Sequence, residues 1–129
     1  MRPSTRFIPA AAAVCALVVS SVALASGSVA GTYTTTLTKP AELKGKWGLA
    51  LAKGGSYTVF WNGRTAARGK YAATANTITF IRETGSPCKG SGTYGWRKSG
   101  KTMTFVLKRE AASCQARAAV LSHRFTQVR

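Results

Sequence analysis

The chain contains no aspartate, and its only acidic side chains are Glu42, Glu83 and Glu110. These three lie in different segments, so no carboxylate pair is on offer for general acid–base chemistry. One histidine, His123, stands alone and reads as a strand residue rather than a base. No serine sits in a nucleophile elbow, and no glycine run forms a phosphate loop between a strand and a helix. Cysteine is scarce too, at three residues. Cys15 falls in the apolar N-terminal run, and Cys88 and Cys114 with one distant histidine lack the spacing of a metal site. The expectation is a chain with no catalytic residue, no metal and no cofactor, and not an enzyme.

Basic residues are plentiful. Nineteen Lys and Arg against the three glutamates give a formal charge of +16. Two of the nineteen, Arg2 and Arg6, precede an apolar run from Ile8 to Leu24 that ends in the small-x-small triplet Ala23-Leu24-Ala25. A basic start, an apolar core and a cleavage site are the three parts of a secretory signal peptide. The alternative, a membrane anchor, is countered by the short core and the cleavage motif. Val14 stands before Cys15 where a lipoprotein signal needs a small residue, which argues against lipidation. The expected organisation is a signal peptide over 1–25 and one small domain over 26–129, secreted or extracytoplasmic, with no membrane span after cleavage. Without Arg2 and Arg6 the remaining chain carries +14. That charge attracts polyanions, but it also keeps a protein soluble, and the cations are spread along the chain rather than clustered.

An exported chain with an even pair of cysteines implies a disulfide. Folding the chain back at Lys98-Ser99-Gly100 sets residue 88 opposite roughly 111. This brings Cys88 and Cys114 together at the base of a hairpin. Closing such a loop contributes about 3–4 kcal/mol in the chain-entropy picture.

Period-two alternation recurs from end to end. Trp47, Leu49 and Leu51 share one face, and Tyr57, Val59 and Trp61 share another beyond the Lys53-Gly54-Gly55 turn. Further strands are predicted over 32–38, 65–74, 77–82, 93–97, 101–109 and 121–128. Leu107 is placed in phase with Met103 and Phe105, and His123 with Leu121 and Phe125. Residues 110–119 are ambiguous: their Ala, Gln and Arg content favours a helical turn. About eight sequential antiparallel strands most economically close into an up-and-down barrel, which leaves no edges. A β-sandwich is the alternative. An eight-stranded barrel is filled by side chains or holds one small ligand.

Gly45-Lys46-Trp47, opening a strand, resembles the Gly-x-Trp signature of lipocalins and the wider calycin group. The repeated Gly31-Thr32-Tyr33, Gly69-Lys70-Tyr71 and Gly92-Thr93-Tyr94 elements look like those of small secreted bacterial lipocalin-like proteins. The resemblance implies that Gly45 and Trp47 close one barrel end, with Arg124 over the indole in a cation–π contact. It departs from the family in having a strand before the signature and in its short length.

Two sites follow. Tyr57, Trp61, Tyr94, Trp96, Met103 and Phe105 are candidates to line a shallow apolar pocket inside the barrel, or simply to fill its core. Lys44, Lys46, Arg64, Arg68, Lys70, Arg97, Lys98 and Lys101 are candidates to dock on an anionic envelope polymer. The leading expectation is a non-catalytic binding domain for a small apolar ligand. The alternatives are a basic surface module for an anionic polymer, or a domain whose partner is another protein. Nucleic acid is a poor partner for an exported chain, and the sequence leaves the oligomeric state open.

Overall fold

The structure, a computed structural model, describes residues 29–129; the signal-peptide reading of 1–25 lies outside them. The strands are β1 (Gly31–Leu37), β2 (Gly45–Leu51), β3 (Ser56–Trp61), β4 (Arg64–Ala73), β5 (Thr77–Thr84), β6 (Gly92–Ser99), β7 (Thr102–Arg109) and β8 (Phe125–Gln127). Each pairs antiparallel with the next, and β8 returns to β1, giving a closed eight-stranded up-and-down barrel. Closure removes the free edges that a β-sandwich would keep.

The register puts the alternating large residues inside. Trp47, Leu49 and Leu51 stand opposite Trp61, Val59 and Tyr57. Tyr71 faces Phe80, and Ile78 faces Tyr94. Gly69 gives Tyr57 its room. A Cβ there would lie 2.6 Å from the phenol ring and 2.8 Å from the Ile81 carbonyl oxygen. Phe80, Tyr94, Phe105 and Phe125 pack edge-to-face at centroid distances of 5.8–6.5 Å. This is the arrangement that ring quadrupoles favour.

The barrel has two unlike ends. The lower end carries the 52–55, 74–76 and 100–101 turns and both ends of the described chain. Val29 is fully buried there and accepts a hydrogen bond from the Tyr33 hydroxyl at 2.7 Å. The upper end carries 38–44, 62–63, 85–91 and the long 110–124 connection. In that connection a 3-10 turn, Ala112–Cys114, runs into helix α1, Gln115–Leu121.

Two expectations are corrected here. The final strand spans only Phe125–Gln127, because Val120 and Leu121 are buried from the helix and His123 lies in the turn after it. Leu107 is 54% exposed rather than inside. β8 reaches β7 only at Thr102 and Met103, so above Phe105 the wall behind Leu107 ends.

Candidate functional site

Beneath α1, at the upper end, lies a cavity of about 140 Å³. Trp47, Leu49, Val59, Phe80 and Phe125 form its barrel side, and Val120 and Leu121 its roof side. Cys88 and Cys114 form a disulfide that ties the 85–91 loop to the start of α1, with Cα atoms 4.5 Å apart. Ser113 reinforces the tie by accepting from the Lys89 N–H and donating to the Lys89 carbonyl, both at 2.8 Å. Both cysteines line the cavity, so the disulfide is part of its rim.

Two β-bulges turn carboxylates inward at this end, one into the wall and one behind it. In β5, Arg68 pairs with Thr84 and Lys70 with Ile81, which leaves Arg82 and Glu83 opposite the single residue Gly69. Arg82 takes φ 54° at this point. Plain alternation after Ile78 and Phe80 would send Arg82 inward; the bulge exposes Arg82 and turns Glu83 in. In β7, Thr93 pairs with Arg109 and Tyr94 with Leu107, so Lys108 is the extra residue. Plain alternation after Met103 and Phe105 would send Arg109 inward. Instead Arg109 is exposed and Glu110 points in. Gly92 makes space for it, since a Cβ there would lie 2.5 Å from the Glu110 carboxylate oxygens.

Arg117, from α1, descends between the two glutamates. Its Nε and Nη2 donate to the two oxygens of Glu110 at 2.9 and 2.6 Å, a bidentate pair. Nη2 also donates to the Gly90 carbonyl at 3.2 Å, and Nη1 reaches Glu83 Oε1 at 3.5 Å. The three side chains are 3–7% exposed. Tyr57 donates to Glu83 at 2.6 Å, Tyr94 donates to Glu110, and Ser86 donates to the second oxygen of Glu83. Burial alone would raise the Glu110 carboxyl. The guanidinium, the Tyr94 hydroxyl and the Ala111 N–H together outweigh it and hold the group below its ordinary 4.5. Burial would lower the Arg117 guanidinium, but Glu110 holds it above its ordinary range. Burial first, and then the carboxylate each phenol serves, push Tyr57 and Tyr94 upward.

Of the six residues expected to line a pocket, Tyr57 borders the cavity. Tyr94, Met103 and Phe105 are buried in the packed core below it. Trp96 lies toward the lower end, half-buried, and donates to the Thr74 carbonyl at 3.0 Å. Trp61 stacks on Trp47, with centroids 5.1 Å apart and planes 12° apart. The two indoles donate to the Leu43 and Lys44 carbonyls at 2.8 and 3.1 Å, closing the rim beside Gly45. A Cβ on Gly45 would lie 2.8 Å from the Trp61 indole nitrogen. Arg124 is exposed and is not the group over Trp47. Trp61, opposite Trp47 in the β2–β3 ladder, takes that place because cross-strand partners are nearest neighbours.

Of the expected surface cations, Lys44, Lys46, Arg64, Arg68, Lys70, Arg97 and Lys101 are exposed. Lys98 is half-buried, its ammonium 5.8 Å from the Tyr33 ring centroid. They do not share one face: Lys44, Lys46 and Arg64 ring the upper end, Arg68, Lys70 and Arg97 stand on the outer wall, and Lys98 and Lys101 are at the lower end.

Among the described residues, no group of three or more His, Cys, Asp or Glu side chains is placed to hold a metal ion. Glu83 and Glu110, in different segments and so no carboxylate pair by sequence, are brought together on Arg117 by the fold, and no motif marked Arg117. Their one visible signal was that two of three glutamates sit at strand ends beside Arg82 and Arg109, where a one-residue slip swaps the sign of what faces inward. No protein-family model matches the chain, and comparison with curated proteins and with solved structures gives no match.

Proposed function

We propose that the chain is an exported, non-catalytic lipocalin-like barrel that binds a small apolar molecule in the cavity under α1. The cavity carries this reading: its walls are mainly aromatic and aliphatic, and it stands beside a buried core of Tyr94, Met103 and Phe105. An apolar cavity of roughly 150 Å³ takes up benzene or xenon, which sets the scale of the ligand. The disulfide and the apolar start at 8–24 support export. The Gly45-Lys46-Trp47 element at the rim supports the lipocalin likeness.

Native mass spectrometry of the protein purified from its own culture medium, at low and high salt, tests the reading. A small adduct retained at both is expected. Its absence, together with no uptake of benzene by the purified protein, would overturn the proposal.

A second reading has its own observation. Both inward glutamates are hidden, so among the described residues fifteen exposed Lys and Arg face the single exposed acid Glu42. Such an exterior suits an anionic envelope polymer, with affinity falling steeply as salt rises. Adducts that vanish in high salt would favour it.

A further inference from the structure

The ion cluster beside the cavity, Glu83 and Glu110 around Arg117, carries a net charge opposite to the rest of the molecule. The guanidinium of Arg117 is committed to Glu110 by two short bonds, which makes that pair neutral. Glu83, the second carboxylate, is reached by Arg117 only at 3.5 Å. The surplus negative charge therefore resides on Glu83, whose side chain is 6% exposed. Glu83 and Arg117 line the cavity and Glu110 does not. Three hydrogen bonds reach Glu83, from Tyr57, Ser86 and Arg117, and a carboxylate accepts about four. The Tyr57 and Ser86 protons are already directed at Glu83, so their oxygens present lone pairs rather than donors. Phe80 and Trp47 add aromatic walls, the Arg117 guanidinium lying 6.0 Å from the Phe80 ring centroid and Trp61 stacking on Trp47.

We propose that the cavity takes a small apolar cation, a protonated amine of about benzene's size, with its ammonium on Glu83 and its hydrocarbon against Phe80, Trp47 and Leu49. This rests on the cavity being a binding site and adds the charge of what it binds. The cationic exterior repels such a ligand at long range, but that repulsion is screened within about 8–10 Å in ordinary salt. The buried carboxylate acts at contact distance in a drier medium, where screening is weakest. Added salt therefore leaves the affinity unchanged or raises it, the reverse of a polyanion on the surface.

Titration calorimetry of the disulfide-bonded protein near neutral pH tests this with three molecules of one shape: cyclopentylamine, methylcyclopentane and cyclopentanecarboxylate. The amine is expected to bind about tenfold or more tighter than methylcyclopentane, the worth of one charge-assisted hydrogen bond. The carboxylate is expected not to bind. Glu83→Gln should remove the amine's advantage and keep methylcyclopentane binding. A second measurement needs no variant. As pH rises past the amine's own value of about 10–11, its affinity should fall to that of methylcyclopentane, while Tyr57, held above its ordinary 10.0 by burial, leaves the wall unchanged. If methylcyclopentane binds and the amine binds no tighter, or if Glu83→Gln leaves the amine's advantage intact, the charge assignment fails and the cavity reading stands. If none of the three binds, both fail.

Discussion

The two ends of the barrel use the same side chain for different work. At the lower end, tyrosine hydroxyls donate to backbone carbonyls: Tyr33 to Val29, and Tyr71 to Ala52 at 2.5 Å. At the upper end they donate to carboxylates: Tyr57 to Glu83 and Tyr94 to Glu110. The lower end is thus closed by tyrosine–carbonyl hydrogen bonds on buried apolar side chains, with the Lys98 ammonium 5.8 Å from the Tyr33 ring centroid. The upper end is closed by a short helix held on an ion cluster, over space that side chains do not fill. A barrel end that only needs sealing can use the first arrangement. The second adds an ion cluster to the apolar contacts of Val120 and Leu121, and so holds the roof over a cavity.

Removing the cation separates the ends most sharply. Arg117→Ala leaves Glu83 and Glu110 buried without a partner and should cost about 3–5 kcal/mol in denaturant unfolding. A loss below about 1 kcal/mol would show that water reaches the cluster. Opening the disulfide, as Cys88→Ser with Cys114→Ser, should cost about 3–4 kcal/mol and weaken ligand uptake in the cavity. Unchanged uptake would mean that α1 is seated by the ion cluster alone. Trimming phenols is subtler. Tyr57→Phe or Tyr94→Phe removes a hydrogen bond to a charged group and should cost about 1.5–3 kcal/mol, against about 0.5–1.5 kcal/mol for Tyr33→Phe or Tyr71→Phe. Equal losses at both ends would erase the distinction drawn here.

The alkaline limb is shared. All four tyrosines are shifted upward, burial being the first cause, with Tyr33 pushed up to about 12. A group raised in the folded state contributes stability in full below its ordinary 10.0 and loses it as pH climbs through the raised value. Spectrophotometric titration should therefore find no tyrosine ionising near pH 10 in the native protein, and all four ionising together when it unfolds. A phenol titrating at its ordinary value in the folded state would contradict the burial of that ring.

Much of the lower end was legible in the sequence because its strands obey strict alternation: β2 and the lower β5 place Leu51 and Ile78 where period two puts them. The disulfide was legible from hairpin geometry. The upper end was less so. A bulge leaves no mark in the period-two pattern; it only moves the frame by one residue, and here that residue decides whether Arg82 or Glu83, and Arg109 or Glu110, faces the interior. Helix α1 replaced the start of an expected strand because Gln115 to Ala119 are helix formers and Val120 and Leu121 suit either state. Arg124 was assigned to the Trp47 ring by likeness to a family, whereas the strand partner Trp61 was nearer.

The most direct test of the two-ended account is amide hydrogen exchange as a function of acid pH, corrected for intrinsic rates. Glu110 is held below its ordinary 4.5. Its contribution is therefore complete above that value and is lost as pH falls through the lowered one. The expected result is that amides of Val120, Leu121 and Ser122, on the roof, lose protection in that window while those of Tyr71 and Ile78, below, keep theirs. Simultaneous loss at both ends, or a roof indifferent to acid, would contradict the claim that the inward glutamates and Arg117 hold α1 over the cavity.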